Sequence, residues 1–317
     1  MSNFDFVPRE KATFYYIGVT TTQSSIMKVF PKWAEYLGLA GTPIVGLNCK
    51  IHDEPKVYRK IVEFIKNDGK SLGALVTSHK IDLFDAAKDY FDEIGPYVEL
   101  LGELSCISKG NGKLRAHAKD PITSGLAYES FIPEMHWKET KGDIFIMGAG
   151  GASLALTTYL MEKGDKNNWP SKIHVTNRST PRLEKMKKIH QKINPGIKIE
   201  YHHCPNSEDN DKILNQLKPY SLVINGTGAG KDFPGSPLTN SAEFPENGLA
   251  WDYNFRGDLV FLKQAQAQKK EKNLHVENGW IYFLHGWLQV IAEVFHLDIP
   301  TKGPKFEDLA KIALEVK

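Results

Sequence analysis

The stretch "DIFIMGAGGASLALTTYLMEKG", residues 143–164, decides the fold. An aliphatic run from Ile144 to Met147 breaks at Gly148, Ala149, Gly150, Gly151, Ala152 and Ser153, and a helical pattern follows. Strand, glycine turn and helix in that order make half of a parallel βαβ unit. The glycines permit a tight turn and let backbone N–H groups approach an anion at the helix N-terminus, where the helix dipole favours negative charge. Any tight strand–helix connection uses glycine, so the turn alone says little. Its position between strand and helix makes Gly148, Ala149, Gly150, Gly151 and Ala152 candidates for holding a dinucleotide pyrophosphate. Ser153 stands where a third glycine is usual, and a small residue there still allows close helix–strand packing.

The same alternation extends outward. "KIHVTNRSTPRLEKMKKIH" (172–190) repeats strand, turn and helix, and "IKIEYHH" (197–203), "LVINGTG" (222–228) and "LAWDYN" (249–254) read as further strands. Before residue 143 the pattern runs a first time. "TFYYIGV" (13–19), "PIVGLN" (43–48) and "SLGALVT" (71–77) read as strands, and helices are expected over about 24–39, 55–68, 80–90 and 95–102. In the 55–68 helix the spacing puts Val57, Ile61, Phe64 and Ile65 on one face. "LSCISKGNGKLRAH" (104–117) carries a Gly/Asn turn between short alternating runs and reads as a hairpin. The segment from 281 to 295, "IYFLHGWLQVIAEVF", is apolar on several faces and suits a buried helix. The expected architecture is α/β, with an N-terminal α/β substrate domain, a Rossmann-like domain and a cleft between them.

Composition narrows the function classes. The chain has 317 residues, 41% hydrophobic and 25% charged, and a net charge of +2, so no global field recruits nucleic acid or an anionic membrane. Cys49, Cys106 and Cys204 are too far apart for a CxxC zinc pattern. The first residues, "MSNFDFVPREK", lack the apolar core of a signal peptide, and no apolar run approaches a membrane span. A cytoplasmic protein with a small-molecule substrate, no nucleic-acid or membrane partner and no metal is expected, as a monomer or homodimer.

The end of the second strand of the 143–203 region selects the dinucleotide. An NAD site places an acid there to hold the ribose hydroxyls. This chain has "TNRSTPR" (176–182), with Arg178 and Arg182 and no acid before Glu184. A helix start accounts for Ser179, Thr180 and Pro181 but not for two arginines, which that end of a helix disfavours. Guanidiniums suit a 2′-phosphate, so NADP is the expected cofactor, with Asn177, Arg178, Ser179 and Arg182 as contacts. The loop "INGTGAG" (224–230) adds Thr227, though an ordinary tight turn explains the glycines equally well.

Lys80, just beyond the strand of "GALVTSHK" (73–80), is on its own a solvated loop lysine like most others. The order of motifs changes that reading. "GALVTSHK", "LLGELSCISKGNGKLRAHAKD", "GAGGAS", "NRSTPR", "INGTGAG", "WDYNF" and "ENGWIYFLHGWLQ" together resemble the shikimate dehydrogenase family over most of the chain. The resemblance implies a substrate domain of residues 1–124 completed by 280–317, and an NADP-binding domain of 125–279. It implies catalysis by a Lys–Asp pair, Lys80 and Asp120. It further implies substrate contacts from Ser24, Thr77, Ser105, Phe255 and Gln289, and cofactor contacts from Tyr253 and Gly279.

The substrate half departs from the family pattern. Ile26 replaces the second of two serines, Thr77 lies three rather than four positions before Lys80, and Ser105-Cys106 replaces an Asn-Thr pair. Ala118-Lys119 precedes Asp120 where Asn-Thr is usual, Phe255 takes a tyrosine's place, and the helix glutamine falls on Gly286, with Gln289 one turn on. Each lost buried hydrogen bond to a substrate costs roughly 1–3 kcal/mol. The expectation is therefore a retained hydride-transfer apparatus with an altered substrate pocket; a true shikimate or quinate dehydrogenase, or an idle NADP-binding sensor, are the alternatives. Among other residues, the neighbours His202 and His203 point to opposite faces of a strand and are poorly placed to chelate together. His79, next to Lys80, is expected as an exposed loop histidine, with a second proton relay as the alternative.

Overall fold

The computed structural model describes residues 6–162, 165–193 and 196–316. Lys163 and Gly164, at the end of the 143–164 stretch, and the first five residues lie outside that description. The chain divides into two compact units, residues 1–119 with 286–317, and residues 120–285.

The first unit is built on β1 (Thr13–Gly18), β2 (Ile44–Asn48) and β3 (Ser71–Val76), with β4 (Glu93–Ile94), β5 (Cys106–Gly110) and β6 (Lys113–His117). The sheet order is β2-β1-β3-β5-β6-β4. β1 is parallel to both β2 and β3, whereas β5 runs antiparallel to β3 and β6. Every residue of β1 is buried, which is why "TFYYIG" is nearly continuously apolar rather than alternating. The β5–β6 hairpin turns on Asn111 and Gly112, both at positive φ (53° and 75°) between the paired Gly110 and Lys113. Asn-Gly is the preferred sequence for such a two-residue turn.

Helices α1 (Ile26–Tyr36), α2 (Pro55–Asn67), α3 (Lys80–Ala87) and α4 (Pro96–Leu101) connect these strands. α1 buries Ile26, Val29, Phe30 and Trp33, an i, i+3, i+4, i+7 stripe. The buried face of α2 is Tyr58, Ile61, Val62 and Ile65. The expected face is thus rotated, with Val57 and Phe64 only half-buried at its flanks. The reason is Tyr58, an aromatic that spacing of aliphatics overlooks and whose ring and hydroxyl both find partners inside.

The second unit contains β7 (Ile144–Met147), β8 (Ile173–Asn177), β9 (Ile199–His203), β10 (Leu222–Asn225), β11 (Leu249–Asp252) and β12 (His275–Glu277). The six are parallel, in the order β12-β11-β10-β7-β8-β9. Counted from β7 this is 6-5-4-1-2-3, the doubly wound dinucleotide-binding order, whose strand order reverses between β7 and β10. Helices α5 (Asp120–Glu129), α6 (His136–Thr140), α7 (Gly151–Glu162), α8 (Thr180–Ile193), α9 (Ser207–Leu214) and α10 (Val260–Gln268) belong to this unit. α7 is buried over eight residues, including Ser153, Leu156 and Leu160. One side of the sheet packs Phe145, Val223 and Ala250 against Phe244 and Phe261.

Two helices complete the first unit. α11 (Trp280–Phe295) begins in the second unit and ends in the first, where Trp287 meets Tyr16 and Phe295 meets Phe14 and Phe30. α12 (Pro304–Glu315) is tied to α1 by the Trp33 indole N–H, which donates to the Leu309 carbonyl at 2.8 Å. Among the described residues no helix is long and apolar enough to cross a membrane.

Candidate functional site

In the second unit the glycine turn after β7 lies beside the loop after β10, at the reversal of strand order. Gly148 sits at φ +100°, and a Cβ there would lie 2.7 Å from the Gly226 carbonyl oxygen. Nothing larger than glycine fits, because the backbones of the two loops touch at this point. Around the contact opens a cavity of about 310 Å³, lined by Gly148, Gly150, Thr176, Asn177, Arg178, Arg182, Thr227 and Phe233 among others.

The cavity wall is held by side chains that bond to backbone. Asn177 accepts from the Ala149 N–H (3.3 Å) and donates to the Ser179 carbonyl and hydroxyl. It thereby links the glycine turn to the 177–180 loop. Buried Asn225 performs the same task on the other side. Its amide donates to the Ala229 carbonyl and the Asp252 carboxyl, and its carbonyl accepts from the Thr227 N–H and hydroxyl. Asn254 also donates to Asp252, through both its backbone N–H and its side chain. Desolvation outweighs these hydrogen bonds and pushes the Asp252 carboxyl up to about 6.

Arg178 and Arg182 lie at the cavity, with the Arg178 guanidinium over the Phe233 ring at 5.2 Å. Among the described residues no carboxylate forms an ion pair with either. Two guanidiniums beside backbone donors, with no carboxylate partner among the described residues, have the chemistry to take a doubly charged phosphate. Of the expected residues, Gly148, Ala149 and Gly150 form the turn after β7, Gly151 and Ala152 open α7, Asn177 ends β8 with Arg178 and Ser179 directly after it, Arg182 lies in the first turn of α8, and Thr227 follows β10.

Tyr253 and Gly279 adjoin one another. The Gly279 N–H donates to the Asn254 carbonyl at 3.0 Å, and a Cβ on Gly279 would lie 2.0 Å from the Tyr253 carbonyl oxygen. The Tyr253 ring packs edge-on to Trp251, and its buried hydroxyl has no hydrogen-bond partner within the described protein. Phe255 packs against Trp280 and Phe283. Tyr253 was legible only through the family pattern.

In the first unit Thr77, Lys80 and Ser105 come together at the C-terminal end of β3. The Val76 N–H donates to the Ser105 carbonyl, the Leu104 N–H to the Lys80 carbonyl, and the Lys80 N–H to the Thr77 carbonyl. Lys80 is the first residue of α3 and is half-buried. A cation at that helix end is electrostatically unfavourable, so helix stability does not account for a lysine there. The Thr77 hydroxyl donates to the Ile17 carbonyl (3.3 Å), and the Ser105 hydroxyl accepts from the Lys119 N–H (2.8 Å). Ser24 follows a short 3₁₀ turn after β1, and Ile26 is wholly in the core. Gln289 is half-buried on α11. Asp120 opens α5 as the first residue of the second unit.

Three features here escaped sequence reasoning. His79 is fully buried, not an exposed loop histidine: its Nδ1 bonds the Tyr58 hydroxyl at 3.0 Å, and burial lowers its pKa. The inward step of the chain just before α3 places it there. Lys119 pairs with Glu293 on α11, and Glu293 lies 3.4 Å from His117, which also bonds the Ser108 hydroxyl. Thr21 directs both its N–H and its hydroxyl at Asn48 on the neighbouring strand. The last two join residues distant in sequence, and no local spacing announces them.

No protein-family model matches the chain. Among curated proteins, the shikimate dehydrogenase (NADP(+)) of Lactococcus lactis subsp. cremoris is 30% identical over 234 residues, covering 72% of each chain. Among solved structures, shikimate 5-dehydrogenase from Thermus thermophilus in complex with NADP(H) and shikimate aligns with a TM-score of 0.67 at 21% identity, over 95% of this chain and 99% of that one. The 5-ketofructose reductase of a Gluconobacter species aligns at 0.69 and 15% identity, over 97% and 99%. At these identities the two solved structures establish the α/β fold.

Proposed function

The chain belongs to the shikimate dehydrogenase family, and we propose that it is an NADP-dependent oxidoreductase acting on a cyclic hydroxy-acid or related polyol. The observation that carries this reading is the cavity at the β7/β10 reversal, with Arg178 and Arg182 beside it and no carboxylate paired with either among the described residues. Gly148, Ala149, Gly150, Gly151 and Ala152 would hold the pyrophosphate. Asn177, Arg178, Ser179 and Arg182 would hold the phosphorylated ribose, and Thr227, Tyr253 and Gly279 the nicotinamide end. When bound, NADP supplies the acceptor or donor of the hydride.

The protein's own residues then manage the proton. As a carbinol becomes a carbonyl, its O–H proton passes to the amine of Lys80; in the reverse direction the ammonium returns it. The charge that builds on the oxygen is stabilised by that ammonium. Asp120, the acid of the pair the family pattern implies, would orient the substrate hydroxyl. Altered neighbours, with Ile26 in the core and Ser105 already bonded to Lys119, support a substrate recognised by different groups from those of the family pattern. A second reading, turnover of shikimate or quinate themselves, is favoured by the name carried by the 30% identical relative.

The test is a screen of hydroxy-acids and polyols, shikimate and quinate included, followed by absorbance of the reduced cofactor. We expect turnover of at least one compound, lost in Lys80→Ala while NADP still binds. Unchanged turnover in that variant would remove Lys80 from the chemistry. NADP binding without turnover of any compound would favour a sensor.

A further inference from the structure

At the edge of the second sheet, His174 on β8 and Glu200 and His202 on β9 bring three donor atoms together. His174 Nδ1 and His202 Nε2 are 3.1 Å apart, and Glu200 Oε2 is 3.6 Å from the first and 3.9 Å from the second. From these atoms we infer a binding site for a divalent transition-metal ion, Zn²⁺ foremost, unrelated to the cavity at the β7/β10 reversal.

His174 and Glu200 are partners across the β8–β9 pair, and Glu200 and His202 are two apart on β9 and so share a face of the sheet. Ligand atoms of a tetrahedral zinc ion at about 2.1 Å stand roughly 3.4 Å apart, and the three distances of 3.1, 3.6 and 3.9 Å bracket that spacing. Hydrogen bonding does not account for the same arrangement. The two nitrogens can share one proton, but 3.6 Å and 3.9 Å are too long for Glu200 Oε2 to bond either ring. An ion at the centre would engage all three atoms. A two-His, one-carboxylate set suits Zn²⁺ and leaves outer positions for water.

The remaining groups around the cluster are compatible with a cation. Lys172 and Lys198 both hold the other oxygen, Glu200 Oε1, at 2.9 Å and 3.1 Å, which orients the carboxylate with Oε2 toward the rings. Their charges oppose a dication and are offset in part by the Glu200 carboxylate, while the nearby Asp143 is itself paired with Lys218 at 3.4 Å. His174 is 9% exposed at its side chain, but His202 and Glu200 are 27% and 33% exposed, so an ion can enter from solvent. His203 takes no part, because its Nε2 bonds the Arg178 carbonyl at 3.0 Å. Opposite faces for neighbouring histidines are therefore compatible with a metal site, whose partners lie at i−2 and across the ladder. Bound there, the ion would clip the edge strand to β8 just before both strands enter the loops that line the cavity.

The experiment is a calorimetric titration of chelator-treated full-length protein with Zn²⁺, beside the variants His174→Asn, His202→Asn and His203→Asn. We expect one equivalent bound by wild type and by His203→Asn. Affinity should fall at least roughly tenfold in the other two variants, in line with the loss of a metal-orienting group. Co²⁺ added to wild type should give the intense visible absorption of a low-coordinate site, a readout that requires no variant to fold. Absence of binding by wild type, a six-coordinate Co²⁺ spectrum, or equal loss in His203→Asn would each overturn the assignment.

Discussion

The two units treat polar side chains at their strand ends in opposite ways. In the second, Asn177 and Asn225 direct most of their hydrogen bonds to backbone of the surrounding loops, and among the described residues no carboxylate forms an ion pair with Arg178 or Arg182. The loops are built, and charge is left over for a ligand. In the first, Thr21 bonds Asn48, Thr77 bonds the Ile17 carbonyl, Ser105 bonds the Lys119 N–H and Lys119 pairs with Glu293. There the polar groups hold one another. The contrast fits the proposed reading, in which the dinucleotide site is kept and the substrate is recognised by other groups.

That contrast can be broken at several points. The largest effect is expected at Lys80: replacement by methionine should lower kcat by about 10²–10⁴, the usual contribution of a positioned acid–base group, with the NADP dissociation constant unmoved. A parallel loss of cofactor affinity would place Lys80 in binding rather than chemistry. Next comes the double variant Arg178→Ala/Arg182→Ala. Charge-assisted hydrogen bonds are each worth roughly 1.5–3 kcal/mol, so NADP affinity should fall by at least about a hundredfold while NAD affinity holds. Equal losses for both dinucleotides would deny the 2′-phosphate contact.

A third prediction concerns pH and two buried groups of the second unit. His190, enclosed between the Thr157 and Tyr201 hydroxyls, is lowered by burial to about 4. The unfolded chain takes up a proton near pH 6.5 that the folded one refuses, so stability present above that pH is lost on acidification toward 4. The full loss is about 3 kcal/mol. Asp252, raised to about 6, acts with the opposite sign: the folded state holds a proton that the unfolded one has released, so stability falls as pH rises from about 4 to 6. Asp252 offsets only part of the loss, because His285 is also lowered by burial to about 4 and acts in the same direction as His190. Urea midpoints of wild type should therefore fall as pH drops from 6 to 4, and those of His190→Gln should fall less steeply; parallel curves would sink this account.

The smallest effect tests the first unit. Glu293→Gln leaves Lys119 without its ion pair at a site where the lysine side chain is 15% exposed, and should cost about 1–2 kcal/mol of unfolding free energy. A raised KM with unchanged stability would instead mean that Glu293 or Lys119 faces the substrate.

How far the sequence could be read follows the same division. Five of the second unit's strands and its loops were legible because glycine turns and strand–helix alternation are local signals; the strand order and the short β12 were not. Arg178 and Arg182 stood out because a helix start does not want them. In the first unit β1, β2, β3 and the hairpin were equally plain, "GNG" announcing its own turn, whereas the two-residue β4 was not. The buried face of α2, the inward His79 and the Lys119–Glu293 pair were not. Each depends on a partner tens or hundreds of residues away, and aliphatic spacing says nothing about where a tyrosine or a histidine finds its hydrogen bond. The His174–Glu200–His202 cluster was hidden for the same reason, since only the β8–β9 register brings it together.

The passage of α11 from one unit into the other has a consequence for synthesis. The second unit is one uninterrupted segment, and it can fold as soon as it has left the ribosome. The first unit cannot, because its sheet waits for residues 286–317, translated only after the whole of the second. Until then Trp33 lacks the Leu309 carbonyl, and Phe14 and Phe30 lack Phe295. The nascent chain thus carries an open aromatic surface through most of its elongation. A folded second unit brings the ends of its own segment to fixed positions, which replaces a long flexible loop with a rigid one and lowers the entropy cost of closing the first. Order of emergence, rather than stability alone, would then determine the yield of native protein, and a variant that slows folding of the second unit should aggregate through the first.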